Sequence, residues 1–218
     1  MMAARPLYIS HRMNEIPFEL ATDGIEFDIR DSAGEIIVTH DPYSEGRTFR
    51  DYVDFLRQIP GASTKLYIVN VKSEGIENDA IRIMEEAGLK NLFLLDCSFP
   101  RIAALAIKQS ERRIALRVSE YEGMDTAIRM KGLIQWIWLD VFSCLAVNNQ
   151  DIRCLRECGY KICLVSPELQ GQPERIEEYA AQMLESDWMP DAICGKAWYR
   201  ERWFSALQMP VAPSPCLN

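Results

Sequence analysis

Gly24-Ile-Glu-Phe-Asp-Ile-Arg-Asp-Ser-Ala-Gly-Glu-Ile-Ile-Val-Thr-His-Asp41 is the stretch whose reading decides the fold. Its first part alternates strictly: Ile25, Phe27 and Ile29 point one way, and Glu26, Asp28 and Arg30 the other. A strand repeats every two residues, so Glu26 and Asp28 leave one face with their Cα atoms roughly 6.5–7 Å apart. Two carboxylates so spaced can lean together onto one hard cation. A Ser-Ala-Gly turn and a short apolar run follow, and the run delivers His40-Asp41. The competing reading is a half-buried hairpin with a wet outer face. The flanking sequence chooses between them.

Outward from this hairpin, short β-rich apolar runs alternate with helical patterns. Strands are expected at Leu7–Ser10, Ile25–Arg30, Leu66–Val71, Leu92–Asp96, Ile114–Val118, Trp136–Asp140, Lys161–Val165 and Ala192–Cys194, with Glu35–Thr39 as the hairpin's return. Apolar spacing of three to four residues predicts helices over Phe49–Gln58, Ile76–Ala87, Phe99–Gln109, Met124–Met130, Gln150–Cys158 and Glu174–Leu184. Gly88 and Gly159 fall where helices should stop, Pro100 and Pro173 where they should start. Eight strands with helical crossovers make a compact α/β (β/α)8 barrel, in one domain without a large insertion. The chain has 218 residues, short for a fold that usually takes about 250. The first connection, Arg12–Asp23, is accordingly lean and is broken by Pro17. A doubly wound open sheet is the alternative, but no glycine-rich turn follows the first strand. The tail Met209–Asn218, with three prolines, reads as irregular.

Composition bounds the partners. The formal charge of −8 argues against a nucleic-acid backbone, which needs clustered Lys and Arg. No apolar run approaches the roughly 20 residues of a membrane-spanning helix, and the N-terminal apolar patch is too short for a signal peptide, so a cytoplasmic location is expected. The seven cysteines form no Cys-x-x-Cys or Cys/His pairing, which argues against zinc. They read as small buried hydrophobes in a reducing compartment.

A barrel of this kind builds its active site at the carboxyl ends of its strands. There the sequence places His11 and Arg12, Glu26 and Asp28, His40 and Asp41, Asn70 and Lys72, Asp96, Arg117 and Glu120, Asp140, Ser166 and Glu168, and Lys196. Any strand end meets water, so each is weak alone. The histidines are more telling: the chain has only two, and both fall at these exits. Imidazole, titrating near neutrality, can serve as acid or base there. The loops carrying Glu120 and Glu168 hold more functional side chains than a connector needs and read as substrate walls. Asp96 could reach a metal or cap the next helix at Ser98–Pro100. Trp136 and Trp138 share a face with Asp140 and either border the pocket mouth or pack between barrel and helices. Lys196 and Trp198 could cradle a phosphate and its apolar or sugar moiety.

Taken together, Ile9-Ser-His-Arg12, Gly24-Ile-Glu-Phe-Asp28, His40-Asp41 and Asn70-Val-Lys72 resemble the glycerophosphodiester phosphodiesterases and the wider phosphatidylinositol-phospholipase-C-like superfamily. The match covers Leu7–Lys72, roughly the first third of the chain. The resemblance implies a (β/α)8 barrel with His11 and His40 as the acid/base pair and Glu26 and Asp28, with Asn70, on one divalent cation, Mg2+ or Ca2+. It implies Arg12 and Lys72 on the phosphate; Arg117, Glu120, Glu168 and Lys196 are expected as further substrate contacts from their strand exits. Three features depart from the family pattern: Met13 stands where Gly is usual after His-Arg, Asn70 replaces a third acidic ligand, and the segments after His11 and His40 are short. These put glycerophosphodiesters themselves in doubt as substrates and point to an open, minimal pocket.

The expected chemistry is metal-dependent cleavage of a small phosphodiester, a cation and two basic side chains stabilising charge on the non-bridging oxygens. Two alternatives stay open: a barrel that only binds a phosphorylated small molecule, and a sugar-phosphate lyase or isomerase.

Overall fold

In the computed structural model, which describes residues 5–15 and 20–209, ten strands form one sheet. In chain order they are β1 (Leu7–Ser10), β2 (Gly24–Ser32), β3 (Glu35–Val38), β4 (Arg47–Thr48), β5 (Leu66–Val71), β6 (Leu92–Leu95), β7 (Ala115–Val118), β8 (Trp136–Leu139), β9 (Lys161–Val165) and β10 (Ala192–Gly195). Eight of them are parallel and run round in the order β1-β2-β5-β6-β7-β8-β9-β10, with β10 returning to β1. The β6–β7 seam is the thinnest join. It consists of a single bridge, Leu94 to Ile114, with the Leu94 amide donating to the Arg113 carbonyl at 2.8 Å. The ring closes as a barrel. β3 and β4 are antiparallel additions that lean off the far half of β2.

The helices are α1 (Phe49–Leu56), α2 (Glu77–Glu86), α3 (Phe99–Ala103), α4 (Met124–Arg129), α5 (Asn149–Glu157), α6 (Ile176–Glu185) and α7 (Arg200–Ala206). Six match the sequence expectation to within a few residues, although α3 widens into a π-turn over Ala104–Lys108. The glycines expected to stop helices do so at positive φ, +80° for Gly88 and +83° for Gly159. Between β1 and β2 no helix occurs among the described residues; residues 16–19, with Pro17, lie outside them, as do residues 210–218 of the expected irregular tail. No helix of the described residues is long and apolar enough to cross a membrane.

Strand alternation sorts the apolar residues into two layers. Ile25, Phe27 and Ile29 of β2 point outward, where Phe27 meets Phe49 and Tyr52 of α1 at ring-centroid distances of 5.8 and 5.1 Å. The opposite parity fills the barrel interior with Ile9, Ile68, Phe93, Trp136 and Trp138, among others. Both tryptophans therefore plug the ring from inside, Trp136 stacked on Phe93 at 4.6 Å, rather than packing under the helices. The cysteines correct the sequence reading: of the six described, only Cys163 and Cys194 are buried, and Cys144 is exposed.

Candidate active site

Because Ile25, Phe27 and Ile29 take the outer face, Glu26 and Asp28 must point into the barrel. Both are about 1% exposed, so the reading of a wet outer face fails. β5 runs parallel beside β2 with Asn70 level with Asp28, so the Asn70 amide also points inward, at the carboxyl rim. Its Nδ2 donates to Glu26 Oε1 at 2.9 Å. Its Oδ1 is buried with no hydrogen-bond partner among the described residues.

His11 and Arg12 follow directly on β1. The Arg12 amide donates to Glu26 Oε2 at 2.6 Å, and His11 Nε2 lies 3.7 Å from the same oxygen. This close wrap requires Arg12 to sit in the left-handed region at φ 53°. The positive φ thus falls on Arg12 itself, not on Met13, whose carbonyl accepts the Tyr52 hydroxyl. Around Asp28 lie Lys72 Nζ at 3.6 Å and Arg12 Nε at 3.8 Å. Asn14 grips the same residue twice, Nδ2 donating to Asp28 Oδ2 at 2.9 Å and Oδ1 accepting from the Asp28 amide at 2.8 Å. Nothing in the sequence pattern singles Asn14 out, since it lies in an irregular loop.

The electrostatics follow from this crowding. Burial, with Asp28 adding to it, pushes Glu26 up to about 7, against the hydrogen bonds from Asn70 and Arg12. Burial, reinforced by the Arg12 cation, lowers His11 to about 4, so its imidazole is neutral at physiological pH.

His40 reaches the rim from the β3 side. The Thr39 amide donates to the Asp28 carbonyl at 3.1 Å, and Arg30 Nε donates to the His40 carbonyl at 3.0 Å. The ring is half-exposed and its Nδ1 lies 2.7 Å from Asp41 Oδ1. That hydrogen bond is the main cause holding the Asp41 carboxyl below its usual range. No hydrogen bond or ion pair among the described residues ties the His40 ring to His11 or Glu26.

The later strand exits divide. Asp96 accepts from Lys72 Nζ at 2.9 Å and is clasped by Arg117. Burial works against its charge, but the Arg117 and Lys72 cations hold its carboxyl below the usual range. It does not cap α3; Ser98 does, accepting from the Arg101 amide. Arg117 also bonds Asp140, so it spans the ends of β6 and β8. Glu120 accepts from the Ser143 hydroxyl at 2.7 Å and the Cys144 amide at 3.3 Å, which commits it to a neighbouring loop. Glu168 is buried, accepts from the Lys196 amide at 2.9 Å and takes the Ser166 hydroxyl, which in turn accepts from Trp203. Lys196 Nζ lies 5.4 Å from the centroid of the exposed Trp198 ring. A cavity of about 480 Å³ runs from these last residues to His11 and Arg12, lined by His11, Arg12, Met13, Glu168, Lys196 and Trp198.

For a cation, the described residues offer no convergent group of three His, Cys, Asp or Glu side chains. They offer two carboxylates and an amide. The donor set is all hard oxygen, and the orphaned Asn70 Oδ1 is the atom such an ion would satisfy. The residues therefore fit Mg2+ or Ca2+ better than a softer metal.

No protein-family profile matches the sequence, and no curated protein does. Solved structures do. A glycerophosphodiester phosphodiesterase from Agrobacterium tumefaciens str. C58 superposes with TM-score 0.59 at 14% identity, over 88% of this chain and 96% of that one. A glycerophosphoryl diester phosphodiesterase from Parabacteroides distasonis ATCC 8503 gives TM-score 0.62 at 12% identity, over 96% of this chain and 89% of that one. The fold is that of the glycerophosphodiester phosphodiesterases. At these identities the likeness speaks for the barrel.

Proposed function

We propose that the chain is a metal-dependent phosphodiesterase of small phosphodiesters. The observation that carries this reading is the buried Glu26–Asp28–Asn70 oxygen cluster with one oxygen unfilled, set 3.7 Å from a neutral histidine. Glu26, Asp28 and Asn70 would hold one divalent cation, which when bound supplies Lewis acidity and a template for the phosphate oxygens.

The protein's own groups do the rest. Arg12 and Lys72, already within 4 Å of Asp28, turn to the non-bridging phosphate oxygens. Neutral His11 takes a proton from water as its oxygen bonds to phosphorus and the bond to the leaving alcohol breaks. His40, its Nδ1 held by Asp41, gives a proton from Nε2 to the departing oxygen. The products are a phosphomonoester and an alcohol. Lys196 and Trp198 wall one side of the pocket and face the alcohol arm.

The cations against Asp28 favour a second reading, a barrel that binds a phosphorylated small molecule without cleaving it. Hydrolysis of bis(4-nitrophenyl) phosphate with Mg2+, Mn2+ or Ca2+ separates the two. The phosphodiesterase reading expects a metal-stimulated rate that falls by at least 10²-fold in His11→Ala. A rate no higher than that variant's would leave binding as the function.

A further inference from the structure

We infer that Asn14 is a positioning residue for the cation site: it commits one oxygen of Asp28 and thereby tunes the site to Mg2+ over Ca2+. The inference rests on the phosphodiesterase reading for the presence of a cation, and on the geometry around Asp28 for the oxygens left to it.

The chain leaves β1 in a hook over β2. The Met13 amide donates to the Glu26 carbonyl at 2.7 Å and the Met13 carbonyl accepts the Tyr52 hydroxyl, which brings Asn14 beside Asp28. There Asn14 Oδ1 takes the Asp28 amide at 2.8 Å, as the carbonyl of a neighbouring strand would. Its Nδ2 donates to Asp28 Oδ2 at 2.9 Å. Asp28 is about 1% exposed, and among the described residues this is the one hydrogen bond its carboxylate receives. Arg12 and Lys72 stand off at 3.8 and 3.6 Å, too far to fix its rotation by hydrogen bonds.

Three oxygens of the cluster already hold a donor. Glu26 Oε1 takes Asn70 Nδ2 at 2.9 Å, Glu26 Oε2 the Arg12 amide at 2.6 Å, and Asp28 Oδ2 the Asn14 amide group. Asp28 Oδ1 and Asn70 Oδ1 hold none among the described residues, and Asp28 and Asn70 lie level on adjacent parallel strands. Neither carboxylate therefore has both its oxygens free to chelate one ion. Ca2+ takes about six to eight oxygens and often a bidentate carboxylate, whereas Mg2+ takes single oxygens at shorter range and keeps several waters. Asn14 makes the difference at Asp28, because without its Nδ2 the carboxylate could turn both oxygens to the ion.

Isothermal titration with Mg2+ and with Ca2+, above the Glu26 pKa of about 7, reads the preference without any substrate. Asn14→Ala should weaken Mg2+ binding about 10–100-fold. Ca2+, offered the second oxygen of Asp28, should lose little, so the Mg2+-to-Ca2+ affinity ratio falls at least about tenfold. Asn14→Asp keeps an acceptor for the Asp28 amide and should fold like the wild-type chain. Its added charge tightens both ions, and the ratio should still move towards Ca2+. Tyr52→Phe controls for a loop that is merely loosened, since it frees the Met13 carbonyl and leaves both Asn14 bonds in place. Its ratio should stay at the wild-type value. A ratio unchanged in Asn14→Ala, or moved as far by Tyr52→Phe, would overturn the inference and leave the phosphodiesterase reading standing. A wild-type chain that binds neither ion would overturn the inference and the metal dependence together. Should the ratios move as expected while no diester is cleaved, the inference holds and the phosphodiesterase reading alone fails.

Discussion

Arg12 shows what one residue contributes. Its left-handed backbone costs an L-residue about 1–2 kcal/mol, and the return is an amide and a guanidinium both turned onto the β2 carboxylates. Arg12→Gly should relieve that strain yet take one cation from buried Asp28, which keeps Lys72, so the melting temperature should move by no more than about 2–4 °C while phosphate binding weakens. Thermal denaturation with and without inorganic phosphate would read both effects. Glu26 carries the clearest pH signature. Its folded pKa is raised from 4.5 to about 7, so its contribution to stability is intact below 4.5 and is lost as pH rises through 7. His11, lowered to about 4, works the other way, and its contribution is lost as pH falls from 6.5 towards 4. The two slopes offset each other in the wild-type chain. Glu26→Gln removes one of them. In chelator its stability should equal wild type near pH 4.5 and exceed it by on the order of 3 kcal/mol at pH 8. A gap that stays constant with pH would mean Glu26 is already ionised throughout. At this scale the sequence was legible in placing rare or charged residues at strand ends, where His11 and Arg12 meet Glu26 and Asp28. It was silent on Asn14, whose role arises from a loop that only the folded chain brings back to Asp28.

At the level of elements, the β6–β7 seam is held at its open end by Arg117, which bonds Asp96 on one strand and Asp140 beyond β8. Arg117→Met would leave Asp140, 3% exposed, without its cation and should cost about 3 kcal/mol. Hydrogen exchange at Leu94, Leu95 and Ala115 should quicken more than at the β8–β9 ladder. Gly195 tests the other side of the rim. A Cβ there would come within 2.5 Å of Glu168 Oε1, 2.6 Å of the Tyr8 hydroxyl and 2.8 Å of Ser166 Cβ. Gly195→Ala should thus destabilise the protein by about 3 kcal/mol and shift Lys196, visible as a raised KM. Element existence was readable because each barrel strand is a short apolar run closed by a turn residue. Two elements escaped it. α7, Arg-Glu-Arg-Trp-Phe-Ser-Ala, buries only the adjacent Trp203 and Phe204, so no three-to-four-residue spacing marks it, and β4 is a two-residue strand set by its pairing with β3. The tryptophans of β8 were read as facing a pocket mouth or the helices because alternation fixes which residues share a face, not which face is inside.

For the whole molecule, the oxygen cluster predicts that a divalent cation stabilises the folded chain. At a hundredfold excess over its dissociation constant the gain is about 2.7 kcal/mol, reversed by chelator and abolished by the Glu26→Gln and Asp28→Asn double substitution. Scanning calorimetry with Mg2+ and Ca2+ would measure it. The barrel itself was legible from the count and spacing of its strands, since eight buried runs with lean crossovers leave few ways to hide their faces. The arrangement of side chains over the rim was not, because charge pairs such as Lys72 with Asp96 join segments whose distance apart no periodicity encodes. One last consequence comes from the join of β1 to β10, where Leu7 lies against Ala192 and Ser10 against Gly195. β1 must wait for β10 before its outer edge is occupied, so the growing chain carries a sticky border until residue 195 has been made. Assembly should be slow and all-or-none, dependent on holding factors in the cell, and a chain stopped before residue 192 should yield insoluble protein rather than a partly folded one.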